Sequence, residues 1–433
     1  MTSIDYKKRR KLLLERVRPG AIVVFSAPLA LRNNDVEHEW RQSSDFYWLT
    51  GFDEPESALV LRSDPEPRFE LFVRPRDPER ETWDGPRAGI EGAVRDFGAD
   101  AAHPIGELEA KLPGLLENLD QLGYELGGSR AADDVVLTAL DRVRRRERKG
   151  VACPRSIVNA THTIHELRLR KGPEELALMR RAAEITESGH RELMAAARPG
   201  IFEYEAEAVL RAAFRRRGSE RQAYPPIVAS GPNATILHHR KNDRRMVDGD
   251  LLLVDAGAEY GYYASDVTRT FPVNGRFSQP QRAVYEIVLA AELEAIRAVR
   301  VGATLEDVQR AAVRLIASGL IDLGAMSGPL DAAIEEERYK PWFMHRTSHW
   351  LGMDVHDVGT YHVGGSARPL EVGMALTVEP GIYFMADDER VPAELRGIGV
   401  RIEDDVVVTE SGALVLTESI PKRVEDVERA CAA

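Results

Sequence analysis

Four carboxylates stand where a carboxylate is costly. Asp255 ends the apolar run Leu251-Leu-Leu-Val254, and Asp266 follows eleven residues later within Tyr263-Ala-Ser-Asp-Val-Thr-Arg-Thr270. Glu379 lies in Leu376-Thr-Val-Glu-Pro-Gly381, and Glu403 in Gly399-Val-Arg-Ile-Glu-Asp-Asp-Val-Val-Val408. Such runs read as buried strands. A carboxylate withdrawn from water without a partner becomes neutral or destabilises the fold. Arginine is the ordinary partner, and Arg269 and Arg401 are close in sequence. That pairing is adequate for any one of the acids. For all four together, metal cations are the better account.

The histidines sharpen this reading. Met344-His345-Arg-Thr-Ser-His349-Trp-Leu-Gly-Met-Asp-Val-His356-Asp-Val-Gly359 carries three, and Ile236-Leu-His238-His239 two more. The spacing does not say which of them binds metal. His38, His103, His162, His165, His190 and His362 are isolated and read as structural or surface residues. Carboxylates with one imidazole form a hard, oxygen-rich donor set that suits Mn²⁺, Co²⁺ or Zn²⁺ with open positions. Two such ions about 3.5–4 Å apart can share a bridging water and supply hydroxide near neutral pH. The remaining histidines can then bind substrate and stabilise an oxyanion.

The flanking elements explain how these residues would be presented. Gly172-Pro173-Glu174-Glu175 starts a helix that runs to about Ala197, where Pro199-Gly200 ends it. A second helix is expected over Glu203–Arg217, then the strand 250–255. The order repeats: helices at Gln279–Arg300 and Leu305–Ser318, each followed by a glycine break, then strands at Ala375–Val378 and Val400–Thr409. Two helices followed by acid-bearing strands, twice over, suggests an internal duplication with a site between its halves. Before this region the pattern is mixed α/β. Strands are expected at Ala21–Phe25, Ser57–Leu61 and Phe69–Val73, and helices at Glu107–Leu119 and Ala132–Arg146. With 433 residues, more than one core is expected. The expected fold class is α+β, with domains at 1–170 and 171–433.

Composition removes other classes. The chain is 43% hydrophobic and 30% charged, with a net charge of −12. This is a globular composition without the basic face of a nucleic-acid binder. Two cysteines, Cys153 and Cys431, provide neither a disulfide framework nor a cysteine metal site, and fit a reducing compartment. The run Leu12–Leu14 is too short for a signal-peptide core, and no stretch suits a membrane span. The cytoplasm is the expected location.

Five separated motifs carry a family resemblance. They are Arg41-Gln-Ser-Ser-Asp-Phe-Tyr-Trp-Leu-Thr-Gly51, Glu81-Thr-Trp-Asp-Gly-Pro-Arg-Ala-Gly89, the segment His345–Gly359, Thr377-Val-Glu-Pro-Gly-Ile-Tyr383 and Arg396-Gly-Ile-Gly-Val-Arg-Ile-Glu-Asp-Asp405. With them the whole chain resembles the bacterial Xaa-Pro aminopeptidases (aminopeptidase P). The resemblance implies a creatinase-like N-terminal domain, then a pita-bread metallopeptidase domain with pseudo-twofold duplication. It implies two divalent cations per subunit, Mn²⁺ first among the candidates. Asp255, Asp266, His349, Glu379 and Glu403 would be the ligands, with Asp266 and Glu403 bridging. Glu379 would also be the general base. His238 and His356 would contact substrate and stabilise the tetrahedral intermediate. His345 and Arg401 would line the proline side of the cleft, and Tyr383 is counted with them as substrate-binding. Trp83 would reach toward a neighbour's active site in a homo-oligomer, dimer or tetramer. The pair Arg346-Thr347 departs from the smaller, more apolar residues expected after His345.

The implied partners are peptides with penultimate proline, with no nucleic acid and no membrane. A prolidase acting on Xaa-Pro dipeptides is the nearest alternative. A metal-free binding module and a creatinase-like amidinohydrolase are disfavoured because all five ligand positions are filled.

Overall fold

The computed structural model describes residues 4–17, 20–63 and 67–432. The chain forms two compact units, one ending at Leu167 and the other beginning at Arg168.

The first unit is built on a six-stranded mixed sheet. Its order is Ala101–Pro104, Arg68–Val73, Ala58–Arg62, Gly20–Phe25, Gln121–Gly123 and Ser156–Val158. The three apolar runs expected as strands form its centre, paired antiparallel, and the outer strands are added in parallel. The helix Arg130–Arg144 places Ala132, Val136, Ala139, Leu140 and Val143 on one buried face. This is the spacing that directs one stripe of a helix to a core. The helix expected over 107–119 stops at Leu115. Asn118 adopts a left-handed φ of 60°, and its side chain accepts from Ala152 N–H, which turns the chain away.

The second unit holds the repeated pattern. Helices Pro173–Ala196 and Glu203–Arg216 precede the antiparallel sheet of Ile227–Ser230, Leu251–Asp255 and Thr268–Pro272. Helices Gln279–Ala298 and Leu305–Asp322 precede the sheet of Ala375–Val378, Asp404–Thr409 and Gly412–Val415.

In this unit two segments differ from the expected pattern. The helix from Leu305 does not break at Gly319 but continues to Asp322. A Cβ on Gly319 would sit 2.4 Å from Ile287 Cγ2, so the glycine serves close helix packing, not termination. The single strand expected over 400–409 is two strands, Gly399–Arg401 and Asp404–Thr409, which pair with different partners. The switch falls at Ile402-Glu403, and Glu403 gives its N–H to the Thr268 carbonyl at 3.0 Å instead of to a neighbour in either ladder.

His190 lies fully buried in the first helix of this unit, with Nε2 3.1 Å from the Ala256 carbonyl. Burial lowers its pKa from 6.5 to about 4. The unfolded chain therefore binds the extra proton first, and stability falls as pH drops from about 6.5 toward about 4. In His190→Gln that part of the loss, on the order of 3 kcal/mol, should be missing from denaturant midpoints measured across this range.

Candidate metal centre

Asp255 closes the strand Leu251–Asp255, opposite Ile227 on one side and Thr268 on the other. The chain turns through Ala256-Gly257 and returns by the hairpin Ala258–Tyr260 and Tyr263–Ala264 to Asp266. The two limbs are very close. Ala256 N–H donates to the Val267 carbonyl at 3.0 Å, and a Cβ on Gly257 would lie 1.7 Å from the Ser265 carbonyl oxygen. Only glycine allows this approach. The Tyr224 hydroxyl lies between the two carboxylates, 2.5 Å from Asp255 Oδ1 and in a shorter contact with Asp266 Oδ1.

His349 donates its backbone N–H to Thr377 Oγ1 at 3.2 Å and its Nδ1–H to the Trp350 carbonyl at 3.0 Å. Nε2 is then the atom turned to the acids, 3.4 Å from Asp266 Oδ2 and 3.5 Å from Glu379 Oε1. Fixing the tautomer at the far nitrogen is how proteins hold a ligating imidazole. Glu379 follows the strand Ala375–Val378, with its N–H on the Thr347 carbonyl at 2.8 Å. Thr347 is held in turn by Gln309, which accepts from its N–H and Oγ1. Glu403 Oε2 accepts from Thr268 Oγ1 at 2.6 Å. One ligand atom each from Asp266, His349 and Glu403 lie within 4.8 Å of one another.

The electrostatics test whether cations fit. Burial raises the pKa of Asp255, Arg401 opposes the rise, and Asp266 adds to it. Burial, then Asp266, Glu379 and Asp255, raises Glu403 well above the carboxylate range. Glu379 is pushed up to about 7, first by burial, with His349 and Arg401 opposing. Burial disfavours the charged form of His349, but Asp266 and Glu379 outweigh it and hold the imidazole up to about 9. Four carboxylates thus face one guanidinium and one imidazole, and the three whose pKa is raised, Asp255, Glu379 and Glu403, would ionise more readily with more positive charge beside them. Their hard oxygen donors fit divalent cations.

The other expected residues divide into two sets. His345, Tyr383 and Arg401 form a chain. Arg401 Nη2 donates to Asp255 Oδ2 at 2.6 Å, Nη1 to the Tyr383 hydroxyl at 3.0 Å and Nε to Thr268 Oγ1 at 3.0 Å. The Tyr383 hydroxyl donates to His345 Nε2 at 2.8 Å, and His345 Nδ1–H donates to the Arg346 carbonyl at 2.8 Å. Burial and the Arg401 charge lower His345 to about 4, so its ring is neutral. Tyr383 is fully buried and Arg401 nearly so. His238 and His356 are exposed at the rim. The His356 ring stands edge-on to His349, centroids 4.4 Å apart, and His238 is near enough to depress both His345 and His356. Trp83 belongs to the first unit, where its side chain is 83% exposed.

Tyr224 went unread in the sequence, since a tyrosine before a strand is ordinary. The adjacent Pro225-Pro226, which fixes the chain entering Ile227–Ser230, was its only signal. His239 lies behind the rim, with Nε2 3.1 Å from the buried carboxylate of Glu203.

Fold and site together define a metallopeptidase. Residues 177–410 match the model of metallopeptidase family M24, and residues 6–123 that of the aminopeptidase P N-terminal domain. The Xaa-Pro aminopeptidase of Escherichia coli is 44% identical, over 98% of this chain and 96% of that protein. The structure of Pseudomonas aeruginosa aminopeptidase PepP superposes with a TM-score of 0.98 at 48% identity, covering 100% of this chain and 99% of that one. A zinc-substituted Escherichia coli aminopeptidase P in complex with product gives 0.97 at 43% identity, with the same coverage. The chain belongs to metallopeptidase family M24, in its aminopeptidase P branch.

Gly257→Ala should force the Asp255 and Asp266 limbs apart. The expected result is a folded protein destabilised by about 1–3 kcal/mol, with bound metal, counted by atomic absorption after loading and desalting, well below the wild-type value. Wild-type metal content would show that the close approach is not needed.

Proposed function

We propose that this chain is a metal-dependent aminopeptidase that releases the N-terminal residue from peptides whose second residue is proline. The observation that carries this is the convergence of Asp255, Asp266, His349, Glu379 and Glu403 on one buried centre, beside His238, His345 and His356. Those five would hold two divalent cations, with Asp266 and Glu403 shared between them. Mn²⁺ is the first candidate, and Co²⁺ or Zn²⁺ also suits the donors. When bound, the ions lower the pKa of the attacking water and polarise the scissile carbonyl.

The chain's own residues do the rest. Glu379 takes the proton of the attacking water and gives it to the leaving proline nitrogen. His238 and His356 offer N–H groups to the oxyanion that develops at the carbonyl. His345 has both ring nitrogens engaged, by Arg346 and Tyr383. It therefore presents a ring face and not a free donor, which suits proline, whose nitrogen carries no hydrogen. Arg401 and Tyr383 act on the proline side through His345. Trp83, exposed in the first unit, is assigned to the outer part of the substrate path of a neighbouring copy in a homo-oligomer. The two free cysteines, Cys153 and Cys431, fit a reducing compartment, and we place the enzyme in the cytoplasm.

The prolidase reading needs a cation free to take the substrate's carboxylate beside the metals. Arg401, the guanidinium of the centre, already donates to Asp255, Tyr383 and Thr268. That commitment favours the aminopeptidase. Purified protein reloaded with Mn²⁺ should therefore cleave Xaa-Pro-Yaa and longer peptides faster than Xaa-Pro dipeptides, and a preference for the dipeptide would sink this reading. Verified removal of metal by chelation should abolish turnover, and Mn²⁺ should restore it.

Glu379→Ala should lower kcat by roughly 10²–10⁴ with the thermal unfolding profile retained. Near-normal kcat would remove Glu379 from proton transfer.

A further inference from the structure

Between His349 and His356 the chain is a loop without helix or strand, so something else must set where the exposed His356 ring stands. The residue after it, Asp357, is buried with 1% of its side chain exposed. Its Oδ1 accepts from Arg168 Nη2 at 2.7 Å and its Oδ2 from Lys171 Nζ at 2.8 Å. Those cations are 3% and 2% exposed. Arg168 Nη2 also donates to Asp354 Oδ2 at 2.7 Å. The backbone N–H of Asp357 donates to the Trp350 carbonyl at 2.9 Å, which closes the loop on the residue beside His349. Gly352 leaves room for this arrangement. A Cβ there would lie 2.1 Å from Asp357 Oδ2 and 2.7 Å from Lys171 Cε. The Gly352 carbonyl accepts from Ala264 N–H at 2.8 Å, so the same loop is tied to the limb that carries Asp266.

A buried ion-pair cluster adds little net stability over apolar packing, but it permits few arrangements of its members. We propose that Asp357, clamped by Arg168 and Lys171, is the positioning residue of His356: it sets the imidazole at the rim where the oxyanion forms. The inference rests on the role given to His356 in the proposed function. Asp357 itself touches neither the reacting atoms nor the candidate ligands.

The test is a double-mutant cycle on an Xaa-Pro-Yaa peptide with Mn²⁺-loaded protein. Asp357→Asn should lower kcat roughly tenfold to a hundredfold, with KM and metal content near wild type. In a His356→Ala background the same change should cost less than about twofold, because its target is gone. Asp357→Asn/Lys171→Met restores charge balance and should show the same kcat loss if the single variant folds poorly. In metal-free protein with labelled histidine, the His356 ring signals, assigned by their loss in His356→Ala, should shift in either Asp357 variant. Full kcat in the folded double variant, an undiminished effect in the His356→Ala background, or unmoved His356 signals would each overturn the proposal. A wild type inert on the peptide, or unaffected by His356→Ala, would overturn the proposed function and this inference with it.

Discussion

The second unit is organised around an electrostatic constraint. Asp255, Asp266, Glu379 and Glu403 face one another in a pocket largely closed to water, with one guanidinium and one imidazole turned toward them. Burial and the neighbouring like charges push Asp255, Glu379 and Glu403 toward their neutral forms, which additional cations would oppose. Each acid must therefore be held by something stronger than its own preference, and the surrounding hydrogen bonds are arranged to do this. Glu403 is fixed at its N–H by the Thr268 carbonyl, at its carboxylate by the Thr268 hydroxyl and at its carbonyl by Arg269 Nη1. Asp266 is fixed at its N–H by the Asp405 carboxylate, which also takes the Ser265 hydroxyl.

The consecutive acids Glu403-Asp404-Asp405 thus have three different tasks. Glu403 faces the centre. Asp404 turns the other way, onto Arg269 at 2.7 Å and onto Lys422. Asp405 reaches across to the limb that carries Asp266. The Arg269 guanidinium is saturated by Thr268, Glu403, Asp404, Ile420 and Pro421. A buried arginine survives only with its donors used. Here those donors tie together the three segments that bring Asp266 and Glu403 to one place.

The parts of this that were legible in the sequence share a physical reason. A carboxylate inside an apolar strand is conspicuous because water would normally solvate it. Asp255, Asp266, Glu379 and Glu403 stood out in that way, and three histidines in one segment stood out by density. The start of the helix from Pro173 was legible because its signal is local: Pro173 followed by Glu174 and Glu175. What stayed hidden depends on partners distant in sequence. Nothing local distinguishes Tyr224 from a core tyrosine, and nothing in Gly319 says whether it ends a helix or admits Ile287. The break at Ile402-Glu403 has no turn residue or glycine to mark it, because it arises from Gly399–Arg401 and Asp404–Thr409 pairing with different strands. The family resemblance supplied the division of roles among the histidines, which composition and spacing left open.

On the proposed function, Arg401 links the same charge balance to specificity. Had it been free, it would have offered a carboxylate-binding donor beside Asp255. Instead Asp255, Tyr383 and Thr268 take its hydrogen bonds. Its bond to Tyr383 leaves that hydroxyl to donate to His345, and the Arg346 carbonyl takes the other ring nitrogen. A ring held neutral on both sides has no hydrogen-bonding demand to place on a substrate. An ordinary secondary amide would bring an N–H that such a wall cannot satisfy, and burying it there would cost on the order of 1–3 kcal/mol. Proline brings none. On the proposed function, the network that confines the acids would also shape a surface on which an imino acid loses nothing and other residues do.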